Sequence, residues 1–165
     1  LQIIHEEALE PGGPFPELGL DKAMSRKQLE GKAYVVKITQ DYFGTLNDSL
    51  GICKFPTNAW RPLTPNRMAE TVALVTGWNI TLKELLTTGE RIFNLCRMFN
   101  VREGIHRAYD TLPPRLGEPL LEGATAGETL TTEDLRKMLD EYYELRGWNK
   151  NGIPTRETLV RLGLE

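Results

Sequence analysis

The chain has 165 residues, 40% apolar and 26% charged, with a formal net charge of −3. That length can bury a real core, and the near-balanced charge gives no footprint for a nucleic-acid or membrane-surface partner. No apolar run nears the ~18 residues that span a bilayer and no basic-then-apolar leader opens the chain, so the expectation is a cytoplasmic protein. Residues 1–25 read as an irregular lead-in, because 10–20 are rich in Pro and Gly. Ser25 and Gln28 have capping-box spacing, and Leu29, Ala33, Val36, Thr39 or Gln40, and Phe43 then recur at helical spacing, so a helix is predicted from there to about Leu46. Thr64-Pro65 starts a second helix that passes through Met68, Val72 and Val75 and stops at Gly77. Thr81 and Glu84 form another capping box, and an apolar stripe from Leu82 through Leu85, Leu86, Gly89, Ile92, Phe93, Cys96 and Phe99 predicts a helix over about 82–102. Residues 111–130 read as loop. Thr131 or Thr132 caps a helix that closes at Gly147, and Pro154-Thr155 opens a short last one ending near Gly163. No strand alternation or internal repeat is present, so the predicted class is all-α: one irregular multi-helix domain over 1–165.

The two cysteines, Cys53 and Cys96, are far apart and form no Cys-x-x-Cys, which argues against a disulfide framework and a self-sufficient metal site. One segment gathers chemistry: Asp48-Ser-Leu-Gly-Ile-Cys53 puts an acid, a glycine and a thiol within one short stretch at a helix end. The glycine lets the backbone turn or approach a ligand, the thiolate can ligate a metal, and the carboxylate can accept from a ring N–H. The same residues equally describe a plain helix C-terminus with a glycine cap and a buried thiol.

Asp48-Ser-Leu-Gly-Ile-Cys53 resembles the Asp-x-x-Gly-Leu-Cys signature of aldehyde:ferredoxin oxidoreductases, with Ile52 in place of Leu. The likeness continues in order through Gly77-Trp-Asn-Ile-Thr, Gly89-Glu-Arg-Ile-Phe-Asn-Leu, Met98-Phe-Asn-Val-Arg-Glu-Gly104, Asp110-Thr-Leu-Pro-Pro-Arg115, Tyr142-Tyr-Glu-Leu-Arg-Gly-Trp148 and Gly152-Ile-Pro-Thr155, covering about residues 40–165. This resemblance to the family's C-terminal third implies an enzyme that oxidises aldehydes to carboxylic acids and passes the electrons to ferredoxin. It implies a tungsten ion held by two pterin cofactors of the molybdopterin type and a nearby 4Fe–4S cluster. In that pattern Cys53 is the fourth cluster thiolate, Asp48 hydrogen-bonds a pterin ring, and the backbone at Gly51 and Ile52 completes the cradle. A compact link between the two redox centres keeps the electron path short.

The sequence also departs from the pattern. The other three cluster cysteines, the second pterin signature (Asp-x-x-Gly-Leu-Asp) and the family's N-terminal β-rich domain are absent from these residues. The expectation is a chain that works with upstream domains of the same polypeptide and is inert alone. The first residue is Leu1, not Met, which fits upstream sequence and a processed terminus alike. The family's proton-transfer histidine comes after an Arg-Gly pair. His5 is the one candidate here and lacks that pair, and Leu1 to Ile4 resemble the residues just after the family's histidine.

Other side chains read as structure. Cys96 is expected as a small buried thiol, His106 as a polar loop residue, Lys54 as solvated, and Arg102 with Glu103 as a surface pair. Trp78, Trp148, Tyr142 and Tyr143 are expected as packing aromatics with a polar handle at the surface. Two alternatives stand beside the oxidase reading: a related tungsten enzyme with a reductive role, and a non-catalytic helical interaction module. The identity of the small aldehyde and a homodimeric state are left open by these residues.

Overall fold

The computed structural model of the chain describes residues 15–22, 24–25, 28–53, 63–119, 121–123 and 126–165. Helix α1 spans Lys32–Phe43 and runs on as a π-turn over Gly44–Ser49; α2 spans Pro65–Thr76, α3 Leu82–Arg102, α4 Thr132–Arg146 and α5 Arg156–Leu162. Single 3₁₀ turns lie at Pro16–Leu18, Arg107–Tyr109 and Pro114–Gly117. Among the described residues the only β-type pairings are isolated bridges, Phe15 with Leu20 and Trp148 with Pro154, so the class is all-α as expected. No helix among them is long and apolar enough to cross a membrane.

Side-chain caps set the helix starts. Thr64 accepts from the Arg67 amide ahead of Pro65, and Thr155 accepts from the Thr158 amide. Thr81 with Glu84, and Thr131 with Asp134, close reciprocal capping boxes. The first helix differs from expectation. It starts after Gly31, not after Ser25, because Gly31 holds φ +74° and its left-handed turn breaks any helix begun earlier. The Gln28 side chain accordingly bonds the Glu30 carbonyl.

The buried face of α1 is also rotated from the predicted one. Ala33, Val35, Thr39, Asp41 and Tyr42 are buried while Leu29 is exposed. Thr39 enters an apolar face because its hydroxyl donates to the Val35 carbonyl at 2.6 Å, leaving no unmet donor. On α3 the correction is larger. Leu85, Gly89, Glu90, Asn94 and Arg97 face inward, whereas Leu95 and Phe99 are exposed, and Cys96 is an exposed thiol rather than a buried one. The C-terminal half of α3 meets polar partners, and that pulls its charged face inside.

The molecule thus has two interiors. Around α1, α2 and the first half of α3, an apolar cluster gathers Phe15, Leu18, Leu20, Val35, Tyr42, Met68, Ala69, Val72 and Leu85. Around α4, α5 and the second half of α3, ion pairs and aromatic rings fill the space. Arg146 has no exposed surface; its guanidinium bonds Asp41 at 2.5 Å, Gln40 at 2.8 Å and the Tyr142 hydroxyl at 2.9 Å. Arg97 forks onto Asp110 at 2.9 and 2.6 Å and donates to the Gly152 carbonyl at 2.6 Å. Tyr143 also donates to Asp110, and the Trp148 indole N–H donates to Asn94 at 2.8 Å. Tyr143 packs as expected, but it is buried with its hydroxyl tied to Asp110 instead of lying at the surface; Trp78 is largely exposed and not the packing aromatic expected.

Candidate functional site

The segment from Asp48 to Cys53 is delivered by the π-turn that prolongs α1. Its last backbone bond runs from the Leu50 amide to the Thr45 carbonyl at 3.1 Å, a five-residue span instead of the four of an α-helix. The turn lies against α3 where that helix carries Gly89. A Cβ at Gly89 would overlap the Asp41 carbonyl oxygen and come within 2.8 Å of Thr45 Oγ. A glycine inside a helix costs about 1 kcal/mol against alanine, and here that cost is the condition for backbone-to-backbone packing.

Beyond the turn, inward and outward residues alternate. Leu50 and Ile52 pack against the apolar cluster. Asp48, Ser49, Gly51 and Cys53 are exposed. Gly51 sits at φ +65° with open space where a Cβ would be. The two apolar side chains pin the backbone on the core, and a carboxylate, a glycine with open space above it and a thiol are left exposed along the same short segment. Among the sequence candidates, Asp48, Gly51 and Cys53 are exposed, while the Ile52 side chain packs against the apolar cluster. His5 and Lys54 lie outside the described residues. No group of three or more His, Cys, Asp or Glu side chains among the described residues could hold a metal ion, so Cys53 is one donor at most.

Next to the π-turn stands a charged network that spacing along the sequence does not predict. Burial pushes the Asp41 carboxyl above its ordinary range, and the Arg146 and Lys37 charges offset this in part. Burial also raises Glu90, but there the Arg161 hydrogen bond and the Lys37 and Arg161 charges win, holding it below the usual range. The Tyr143 hydroxyl is raised by burial and by its bond to Asp110. Asp41 lies just before the π-turn, and its carbonyl lies 3.0 Å from the Thr45 hydroxyl within the turn, so this network is joined to the turn. Its signal in the sequence was the run Tyr142-Tyr-Glu-Leu-Arg-Gly-Trp148, which sets charged and aromatic groups together, and Glu90, Asn94 and Arg97 at helical spacing on α3. A hollow of about 600 Å³ beside Tyr143 and Trp148 is lined by Arg107, Asp140 and Lys150. The Arg107 guanidinium there is already engaged by Asp140 at 2.5 Å and by backbone carbonyls, so the hollow is a structural joint. His106 is exposed and caps the adjacent 3₁₀ turn, and Arg102 pairs with Glu103 at the surface, both as expected.

Comparison with known proteins places the fold in a family. A family model described as aldehyde ferredoxin oxidoreductase, domains 2 & 3, matches residues 4–164. A tungsten-containing aldehyde ferredoxin oxidoreductase from Pyrococcus furiosus is 40% identical over 121 residues, 72% of this chain and 19% of the relative. An aliphatic sulfonate oxidoreductase, WOR-like subunit, from the same organism is 31% identical, over 85% of this chain and 22% of that one. Among solved structures, the active-site complex BamBC of benzoyl coenzyme A reductase with 1,5-dienoyl-CoA aligns with a TM-score of 0.66 and 27% identity, over 84% of this chain and 20% of that one. The chain spans about a fifth of the length of the curated relatives it matches. With almost every residue inside the match, this chain belongs to the aldehyde ferredoxin oxidoreductase family, in the region of its domains 2 and 3.

Proposed function

We propose that the chain is the C-terminal helical part of a tungsten-dependent oxidoreductase that oxidises aldehydes to carboxylic acids and passes the electrons through a 4Fe–4S cluster to ferredoxin. The observation that carries this is the relative at 40% identity, a tungsten-containing aldehyde ferredoxin oxidoreductase. The open segment fits the implied groups: an exposed thiol and carboxylate flank a backbone stretch with empty space above Gly51. When bound, the tungsten–bispterin group supplies the two-electron oxidation and the cluster the onward path for electrons.

The chain's own residues bind and orient. Cys53 offers one thiolate to the cluster, and three more come from the polypeptide's upstream domains. The Asp48 carboxylate accepts a hydrogen bond from a pterin ring N–H. Gly51, bare of side chain, lets a flat ring lie close to the backbone. Leu50 and Ile52 hold these groups at a constant spacing by staying in the core. The test uses the full-length protein. Cys53→Ser is expected to lower iron and sulfide per chain and abolish aldehyde-dependent dye reduction; an unchanged cluster refutes the ligand role. The isolated chain, with two cysteines in all, is expected to hold no stoichiometric cluster, and iron quantitation decides it.

A second reading has its own support. The structural neighbour named benzoyl coenzyme A reductase suggests that the same scaffold serves reduction. Dye reduction driven by aldehyde favours the first reading; dye oxidation driven by an activated carboxylic acid favours the second.

A further inference from the structure

The π-turn is held by a residue that the proposed chemistry leaves unused. Thr45 is fully buried. Its hydroxyl donates to the Leu85 carbonyl of α3 at 2.5 Å and lies 3.0 Å from the Asp41 carbonyl one turn back. Its own carbonyl accepts the Leu50 amide at 3.1 Å and the Ser49 hydroxyl at 2.8 Å. One residue thus grips the neighbouring helix with its side chain and the start of the open segment with its backbone.

A π-turn is rare and persists where its surroundings hold it. If the turn relaxed to an α-helix, everything after it would rotate by about 100°. Leu50 and Ile52 would leave the core, and Asp48 and Cys53 would point elsewhere. The bond from Thr45 to α3 opposes that relaxation, and Gly89 supplies the room for it.

We infer that Thr45 is a positioning residue whose hydroxyl, clamped to the Leu85 carbonyl, locks the π-turn that sets Asp48 and Cys53 in the open segment. This rests on the reading of Cys53 as a cluster ligand. The experiment compares Thr45→Val, which keeps the shape and removes the hydroxyl, with Thr45→Ser, which keeps the hydroxyl, in the full-length protein. Three quantities are read: amide hydrogen exchange at Leu50, iron per chain, and the electron paramagnetic resonance spectrum of the reduced cluster. Thr45→Val is expected to speed Leu50 exchange roughly tenfold, the weight of one buried hydrogen bond, and to change the spectrum or lower the iron. Thr45→Ser is expected to restore the parent values. A valine variant matching the parent in exchange and spectrum overturns the inference. So does a serine variant no better than valine, since the hydroxyl would not be the cause. Should the valine variant fail to fold, Thr45→Ala, which removes the hydroxyl without a second methyl to place, takes its position. Faster Leu50 exchange is expected there, and unchanged exchange overturns the clasp. Cys53→Ser is run in parallel. If it keeps the parent's iron and spectrum, the ligand reading fails by itself, and the exchange data still decide the role of Thr45.

Discussion

The two interiors are built on opposite principles. Near α2 the chain buries apolar side chains such as Met68, Val72 and Leu85, whose contribution is non-directional and scales with area. Near α4 it buries Arg146, Asp41, Arg97 and Asn94, whose contribution depends on every partner being in place. The first kind of interior tolerates repacking; the second fixes angles. The open segment lies between them, pinned to the apolar side by Leu50 and Ile52 and braced on the ionic side through Asp41. A surface that must present a few groups at a set spacing gains from having one of each behind it.

Substitutions test how far the two interiors differ. Arg146→Met is expected to cost the most, roughly 3–5 kcal/mol in urea unfolding, because it leaves the buried Asp41 with Lys37 as its one remaining ion-pair partner and removes the bonds to Gln40 and Tyr142. Adding Asp41→Asn should then recover a large part of that loss; a double variant no better than the single would show that the charges are not one unit. Met68→Ala, at a fully buried apolar position, is expected to cost about 3 kcal/mol with no partner whose removal rescues it. Gly89→Ala, which alanine's helix preference alone would make stabilising, is expected to cost about 1–3 kcal/mol because its methyl meets the Asp41 carbonyl. A stabilised Gly89→Ala protein would mean that the α1–α3 approach is looser than described.

The smallest expected effect is on pH. Hydrogen bonds from Thr81 and from Thr131 hold Glu84 and Asp134 below their ordinary values of 4.5 and 3.8, and Glu90 is also held low. A lowered acid stabilises the fold above its unfolded value, and that contribution is lost as pH falls through the folded value. Asp41, raised by burial, works in the opposite direction. The urea midpoint is therefore expected to fall below about pH 4.5, and Glu84→Gln should flatten the slope. An unchanged slope would remove the capping acids from the account.

Apart from α1, helix limits were legible because they are written locally. Thr81 with Glu84, Thr64 with Pro65, and Gly77, Gly147 and Gly163 mark starts and stops within one turn of chain. Which face is buried was less legible. On α3 the apolar stripe pointed to Cys96 and Phe99, yet Glu90, Asn94 and Arg97 are inside, since their partners Arg161, Trp148 and Asp110 come from distant chain. Spacing along one helix carries no record of such partners. The π-turn was illegible for a related reason: it depends on Gly89 and the Leu85 carbonyl, about forty residues from Thr45. The Asp48 to Cys53 segment itself stood out through its composition, while the direction in which its groups point came from the fold.

The alternation beyond Ser49 sets a rule for how this stretch can change over generations. Residues 50 and 52 go in, and 49, 51 and 53 go out. Exchanging one aliphatic group for another at an inward position alters only its shape. Deleting or adding a single residue would swap the two sets, driving a thiol toward the core and an aliphatic chain into water. At the inward positions drift is free to edit letters, but not to change the length of the word.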